Sequence, residues 1–145
     1  MSGWDALQVA APWLWVGMVL AISFLEAPLK FRAPGITVPL AVAIGRIVFR
    51  ALNGCELVLA LLATLALVAG DAQPTAAVVA LVVAWWALLV KAGAVRPLMD
   101  RRARRVVAGE DPGPSPLHLW YVGLELATVL AVGAYALLSL DAIVG

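Results

Sequence analysis

Glu56, Lys91 and Glu125 lie inside long apolar runs, where ionisable side chains are rare. Burial among lipid-like groups is costly for such residues. They usually face the interior of a helix bundle and mark a path for protons, ions or solutes. Two carboxylates at similar depth can share a proton, carry one, or hold a cation together with Asn53. Apolar walls disfavour the ionised form of a carboxylate, and a nearby Lys or Arg opposes that effect. A structural alternative stands beside this one: Glu56 and Glu125 pair with Lys91, Arg50 or Tyr121 and only fix helix register.

Spacing groups further residues with these three. Asn53, Glu56, Ala60 and Thr64 recur at intervals of three and four and so share one helical face, which Arg46 and Arg50 prolong. His118, Tyr121, Glu125 and Thr128 form an equivalent stripe. Gly123, Ala127 and Ala131 make a small-residue ladder on the opposite face, and Gly17 with Ala21 a shorter one; both are expected to be packing seams. Glu26 closes its apolar run just before Pro28, Lys30 and Arg32. With Arg46, Arg50 and His118 it is a candidate for the rim of a polar pocket, or a side chain that reaches the headgroups. His118 is the only histidine, so one chain cannot supply bis-histidine haem ligation. Metal binding would need Glu26, Glu56 and Glu125 from several helices, without the Glu-x-x-His spacing of di-iron bundles. There is no phosphate-binding glycine loop, nucleophile elbow or zinc motif. Cys55 is the single cysteine, which excludes an intrachain disulfide. No catalytic residue, metal site or cofactor is assigned.

The elements that position these residues follow from composition. The chain is 64% hydrophobic and 13% charged, against about half and about a quarter in soluble domains. Four stretches approach the roughly 20 apolar residues a spanning helix needs: residues 7–25, 48–68, 75–95 and 117–140. One all-α domain over residues 1–145 is expected, an integral membrane four-helix bundle. The N-terminal run lacks the basic start of a signal peptide and is read as a retained helix. Gly70, Asp71 and Pro74 predict a tight hairpin between spans two and three. All ten Lys and Arg cluster around the first and third connections. By the positive-inside rule, those loops are cytoplasmic and both termini lie outside, as in a bacterial inner-membrane protein. Glu56 and Glu125 then sit eight residues into their spans, roughly 12 Å from the inner boundary. Trp4, Trp13, Trp15 and Trp120 suit interfacial belts, and Trp85 and Trp86 mid-span packing. Residues 33–45 are either a re-entrant piece or the start of a long second helix, the preferred reading. Residues 96–116 read as a basic cytoplasmic loop, a basic helical end and then a Pro/Gly-rich linker, attracted to anionic lipid rather than nucleic acid. No internal repeat stands out.

The strings "EAPLKF" and "IGRIVFRALNGCELVLALL" resemble small bacterial four-helix membrane proteins of the DUF4149 or TMEM205-like group, over about residues 13–68. The resemblance implies four helices and metal- or drug-related transport, and no catalytic residue. The basic third connection and "FRAPGITVPL" depart from that pattern. Three functions are therefore carried forward. The first is a transporter or channel subunit for an ion or small solute, built on Glu56, Glu125, Asn53, Lys91 and Tyr121. Four spans enclose little space, so it requires a homo-oligomer or a membrane-protein partner. The second is a non-catalytic accessory subunit of a larger membrane complex. The third is a membrane redox or lipid enzyme with Glu26 and His118 at the cytoplasmic face.

Overall fold

The computed structural model describes all residues, 1–145. It is all-helical, with four helices long and apolar enough to cross a membrane: α1 Gly3–Arg32, α2 Val38–Ala69, α3 Thr75–Val107 and α4 Leu117–Val144. Local chemistry sets their ends. The Ser2 and Asp5 side chains cap each other's backbone in a capping box at the start of α1. Thr37 caps α2 by accepting the Leu40 N–H at 3.3 Å, and Pro39 occupies the first turn, where its missing N–H costs nothing. α3 stops at Gly109, whose φ of +89° suits glycine. There the Gly109 and Glu110 N–H groups turn back onto the Val106 and Arg105 carbonyls. Arg and Lys are good helix formers, and the basic helical end expected within residues 96–116 runs as far as Val107. α2 likewise extends back to Val38 as one long helix.

Two helices widen into π-helical turns, α1 at Leu20–Glu26 and α3 at Lys91–Val95. Each widening precedes a proline by one residue. Pro28 and Pro97 lack an N–H and crowd the carbonyl four residues earlier. The residue before each proline bonds five positions back instead, Ala27 to the Ile22 carbonyl and Arg96 to the Lys91 carbonyl. In a regular helix, residues five apart differ by about 140° in direction. The π turn brings them nearly into line, and so Lys91 and Arg96 both face inward. Glu56 follows Pro28 by 28 residues, and Glu125 follows Pro97 by the same interval. Gly54 and Leu57 around the first glutamate match Gly123 and Leu126 around the second. The α1–α2 and α3–α4 hairpins thus share a layout that the sequence alone does not make visible.

α1 packs between α2 and α4, α3 packs on α4, and α2 meets α3 mainly along their basic ends. Alanines at 60, 63, 66, 77, 84, 87 and 136 are fully buried and let the helices approach closely. The outside is apolar, with Leu57, Leu61, Val82, Leu119, Leu130 and Leu137 all exposed. Two expected seams hold only in part: Gly17 and Gly123 point outward, with nothing near a Cβ built there, while Ala131 at the end of the second ladder is buried in the core. Trp86 is also exposed rather than packed, and Trp15 is fully buried rather than at a belt.

Away from the basic end, Gln8 ties α1 to the α2–α3 hairpin. Its amide donates to the Ala66 carbonyl at 2.8 Å and accepts from Gln73 at 2.7 Å. Gly70 lies against this knot: an added Cβ would stand 2.7 Å from both the Ala66 oxygen and Gln8 Nε2. Gly70→Ala is therefore expected to lower stability by about 1–3 kcal/mol. Gly54→Ala, on an open helix surface, should be neutral or stabilising by up to about 1 kcal/mol. Paired unfolding curves of detergent-solubilised protein compare the two.

Candidate functional site

All four helices send a side chain to one buried point. Lys91 of α3 is completely buried, and its Nζ donates to both oxygens of Glu56 on α2, at 2.7 and 2.8 Å. The same ammonium pairs with Glu125 of α4. α1 completes the shell from two levels: Trp15 Nε1–H donates to Glu56 Oε1 at 3.0 Å, and Ser23 Oγ–H donates to Glu125 Oε2. The expected convergence of Glu56, Lys91 and Glu125 is thus present in the fold. Formally the cluster holds two negative charges and one positive, so full ionisation leaves one negative charge in excess. Several kcal/mol of desolvation per buried ion is offset only by close pairing and by donors for the remaining lone pairs. Trp15 and Ser23 supply such donors.

Tyr121 covers the cluster on its basic side. Its hydroxyl donates to Asn53 Oδ1 at 3.3 Å, its ring centre is 6.0 Å from Lys91 Nζ, and the Arg96 guanidinium lies 5.7 Å from that ring. Arg96 also stands 5.0 Å from the Phe49 ring, which meets Tyr121 edge-on and takes Lys30 Nζ at 5.5 Å. Cations and rings therefore alternate from the buried lysine outward: Lys91, Tyr121, Arg96, Phe49, Lys30. Each such contact is worth about 0.5–2 kcal/mol depending on solvent exposure. Gly45 permits the last step, since a Cβ there would come within 2.9 Å of Lys30 Nζ.

Tyr121, Arg96, Phe49, Lys30 and Gly45 border a cavity of about 440 Å³ at the basic end. All four helices contribute to its wall, which includes Ser23, Phe49, Arg96, Tyr121 and, at the base, Glu125. Glu125 belongs to both the buried cluster and the cavity, whereas Glu56 belongs only to the cluster. Among the expected rim residues, Arg46 and His118 line the cavity. Arg46 is also held by Asp100 at 2.7 and 3.3 Å. Glu26 instead turns to Lys30, 3.8 Å away, and Arg50 borders a separate groove with Asn53 and Asp100. No three metal-ligating side chains of the His, Cys, Asp and Glu set come together.

Sequence reasoning missed Trp15, Ser23, Arg96 and Asp100 as site residues. Asp100 carries a usable signal, as the one acid among the five arginines at 96, 101, 102, 104 and 105. Ser23 has a weaker one, as a hydroxyl eight residues beyond Trp15, about two helical turns on and near the same face.

Removing the cation isolates its contribution. Lys91→Met leaves two buried carboxylates facing each other and should cost about 3–5 kcal/mol. Adding Glu56→Gln and Glu125→Gln to that variant should restore most of the loss. Unfolding by SDS titration measures both effects; a Lys91→Met protein as stable as the parent would show that the cluster holds nothing together. No protein family, curated protein or solved structure matches the chain, so its function is argued from this geometry.

Proposed function

We propose that the chain is a multi-pass protein of the bacterial cytoplasmic membrane and the subunit of a small proton-linked transporter. The basic end faces the cytoplasm and both termini face out, a reading that rests on the gathering of Lys and Arg at one end of the bundle. One observation carries the transport reading: Glu125 is at once a member of the buried charge cluster and the base of a cavity. A carboxylate in that position exchanges a proton with the cavity while Lys91 stays chelated by Glu56. Protonation of Glu125 removes the excess negative charge and loosens its hold on Lys91. Deprotonation restores that hold and draws α3 and α4 together at this level. The π turns beside Pro28 and Pro97 are the places where such a change in helix direction is cheapest. A homo-oligomer or a membrane-protein partner supplies the rest of the path, because four helices enclose only a short one.

The accessory-subunit reading has its own support in the close pairing of Lys91 with both carboxylates, which suits a device that sets helix register. The resemblance of residues 13–68 to the DUF4149 or TMEM205-like group remains a proposal and adds no residue to either reading.

Liposomes containing the purified protein and an internal pH dye discriminate between them. An imposed proton gradient should collapse faster with the parent protein than with Glu125→Gln, whose flux should fall to the protein-free rate. Glu56→Gln should also impair flux. If both variants match the parent, or the parent matches empty liposomes, the carboxylates are structural and the transport reading fails. Terminal tags reached by an impermeant protease from the periplasmic side check the orientation.

A further inference from the structure

The charge cluster does not account for Arg96. The cavity wall carries Lys30, Arg46 and Arg96 against the single carboxylate of Glu125. Arg46 is neutralised by Asp100, Glu125 shares Lys91 with Glu56, and Lys30 stands 3.8 Å from Glu26. Arg96 has no carboxylate within ion-pair distance. Its one protein acceptor is the Gly45 carbonyl at 3.5 Å, and its other neighbours are the rings of Phe49 and Tyr121. A guanidinium has five N–H donors in a planar fork that matches carboxylate or phosphate. Here the fork is half-buried and nearly without acceptors. Much of the surrounding wall is apolar, with Phe24, Phe31, Met99 and Val122.

We propose that this cavity binds an amphipathic anion, with a carboxylate or phosphate head on Arg96 and an apolar body against Phe24, Phe31, Met99 and Val122. Its volume falls in the range of about 300–1,000 Å³ usual for small-molecule sites. Lys30, with only a long contact to Glu26, is the second cation within reach of the head. The cations around the mouth raise the local concentration of anions. A cationic ligand could pair only with Glu125, which Lys91 and Ser23 already hold, and a neutral one would leave Arg96 as it is. The same head chemistry is found on a water-borne organic acid and on a single-chain membrane lipid. This assignment rests on the transport reading only in making the anion the cargo.

The test is equilibrium binding to full-length protein in phosphatidylcholine nanodiscs, with empty nanodiscs subtracted. Radiolabelled decanoate, lysophosphatidate and the uncharged decanol are the probes. One saturable site for decanoate is expected if the source is a free acid, and one for lysophosphatidate alone if it is a lipid; either result upholds the proposal. Arg96→Gln should weaken binding about tenfold or more, and Arg96→Lys should lose less. Val122→Trp fills the cavity without touching a charge and should also weaken binding, which covers the case in which Arg96→Gln fails to fold. Decanol binding as tightly as the anions, no saturable anion site, or undiminished binding by Arg96→Gln and Val122→Trp overturns it. Because binding is read without flux, a bound anion in a protein that moves no protons defeats the transport reading alone. Proton flux without an anion site defeats this proposal alone.

Discussion

A lysine ammonium sealed inside an apolar bundle constrains every helix around it. An isolated charge in such surroundings costs far more than a domain's whole stability, so Lys91 requires acceptors at its own depth on neighbouring helices. Glu56 and Glu125 meet that requirement from α2 and α4. Sliding either helix by one turn, about 5.4 Å, would break the contact and leave charges unpaired. α1 carries no charge to the cluster, yet its Trp15 and Ser23 satisfy carboxylate oxygens and fix its register in turn. Alanine-rich seams alone allow many registers, since one alanine replaces another along them. The buried ion cluster picks one.

Placing a lysine and an arginine on the same inward face of α3 is the second constraint, and Pro97 meets it. The widened turn before the proline lines up Lys91 with Arg96, which a regular helix would point well apart. α1 has the same device before Pro28, and there it accompanies Ser23 and Lys30 at the two ends of the site. The equal spacing of Pro28 from Glu56 and of Pro97 from Glu125 follows from equal demands. Each hairpin must go from a widened turn, around a connection, and back to a glutamate at one common depth. Most other positions face apolar surroundings in which Leu, Val and Ala are interchangeable. That is why the correspondence is obvious in the fold and obscure in the letters.

The same interchangeability explains what the sequence could and could not reveal. Helix number and extent are written in long apolar runs, and the depths of Glu56 and Glu125 follow from counting residues. Direction around each helix is different. When the outer surface is as apolar as the core, hydrophobic periodicity has no contrast, and only polar residues mark a face. Asn53, Glu56 and Tyr121 are such marks, and they do meet at the site. Gly123 and Gly17 have no polar neighbour on their own face, and both glycines point outward. Trp15 misleads for another reason. An indole suits both a headgroup boundary and a buried hydrogen bond, and its choice depends on a carboxylate 41 residues away. Arg96 looked like one more topological cation among several, because nothing in its neighbours shows that Asp100 turns to Arg46 instead.

Tyr121 neighbours two groups of opposite charge balance. Within 6.0 Å of its ring centre lie Lys91, part of a cluster with more carboxylate than ammonium, and Arg96, whose charge is met only by ring faces and one carbonyl. Ring faces supply at most about 2 kcal/mol each, far short of neutralising a half-buried guanidinium. Under the proposed reading, an anion that settles on Arg96 shares its cavity with the Glu125 carboxylate, which in its ionised form repels it. A proton on Glu125 removes that repulsion. Anion binding and proton uptake must then favour one another by the same factor, whichever comes first. Neither group is sufficient alone: without Arg96 the cavity has no strong hold on an anion, and without Glu125 nothing ties that hold to a proton. The coupling comes from two charged side chains that border one cavity, Arg96 and a glutamate held by a buried lysine.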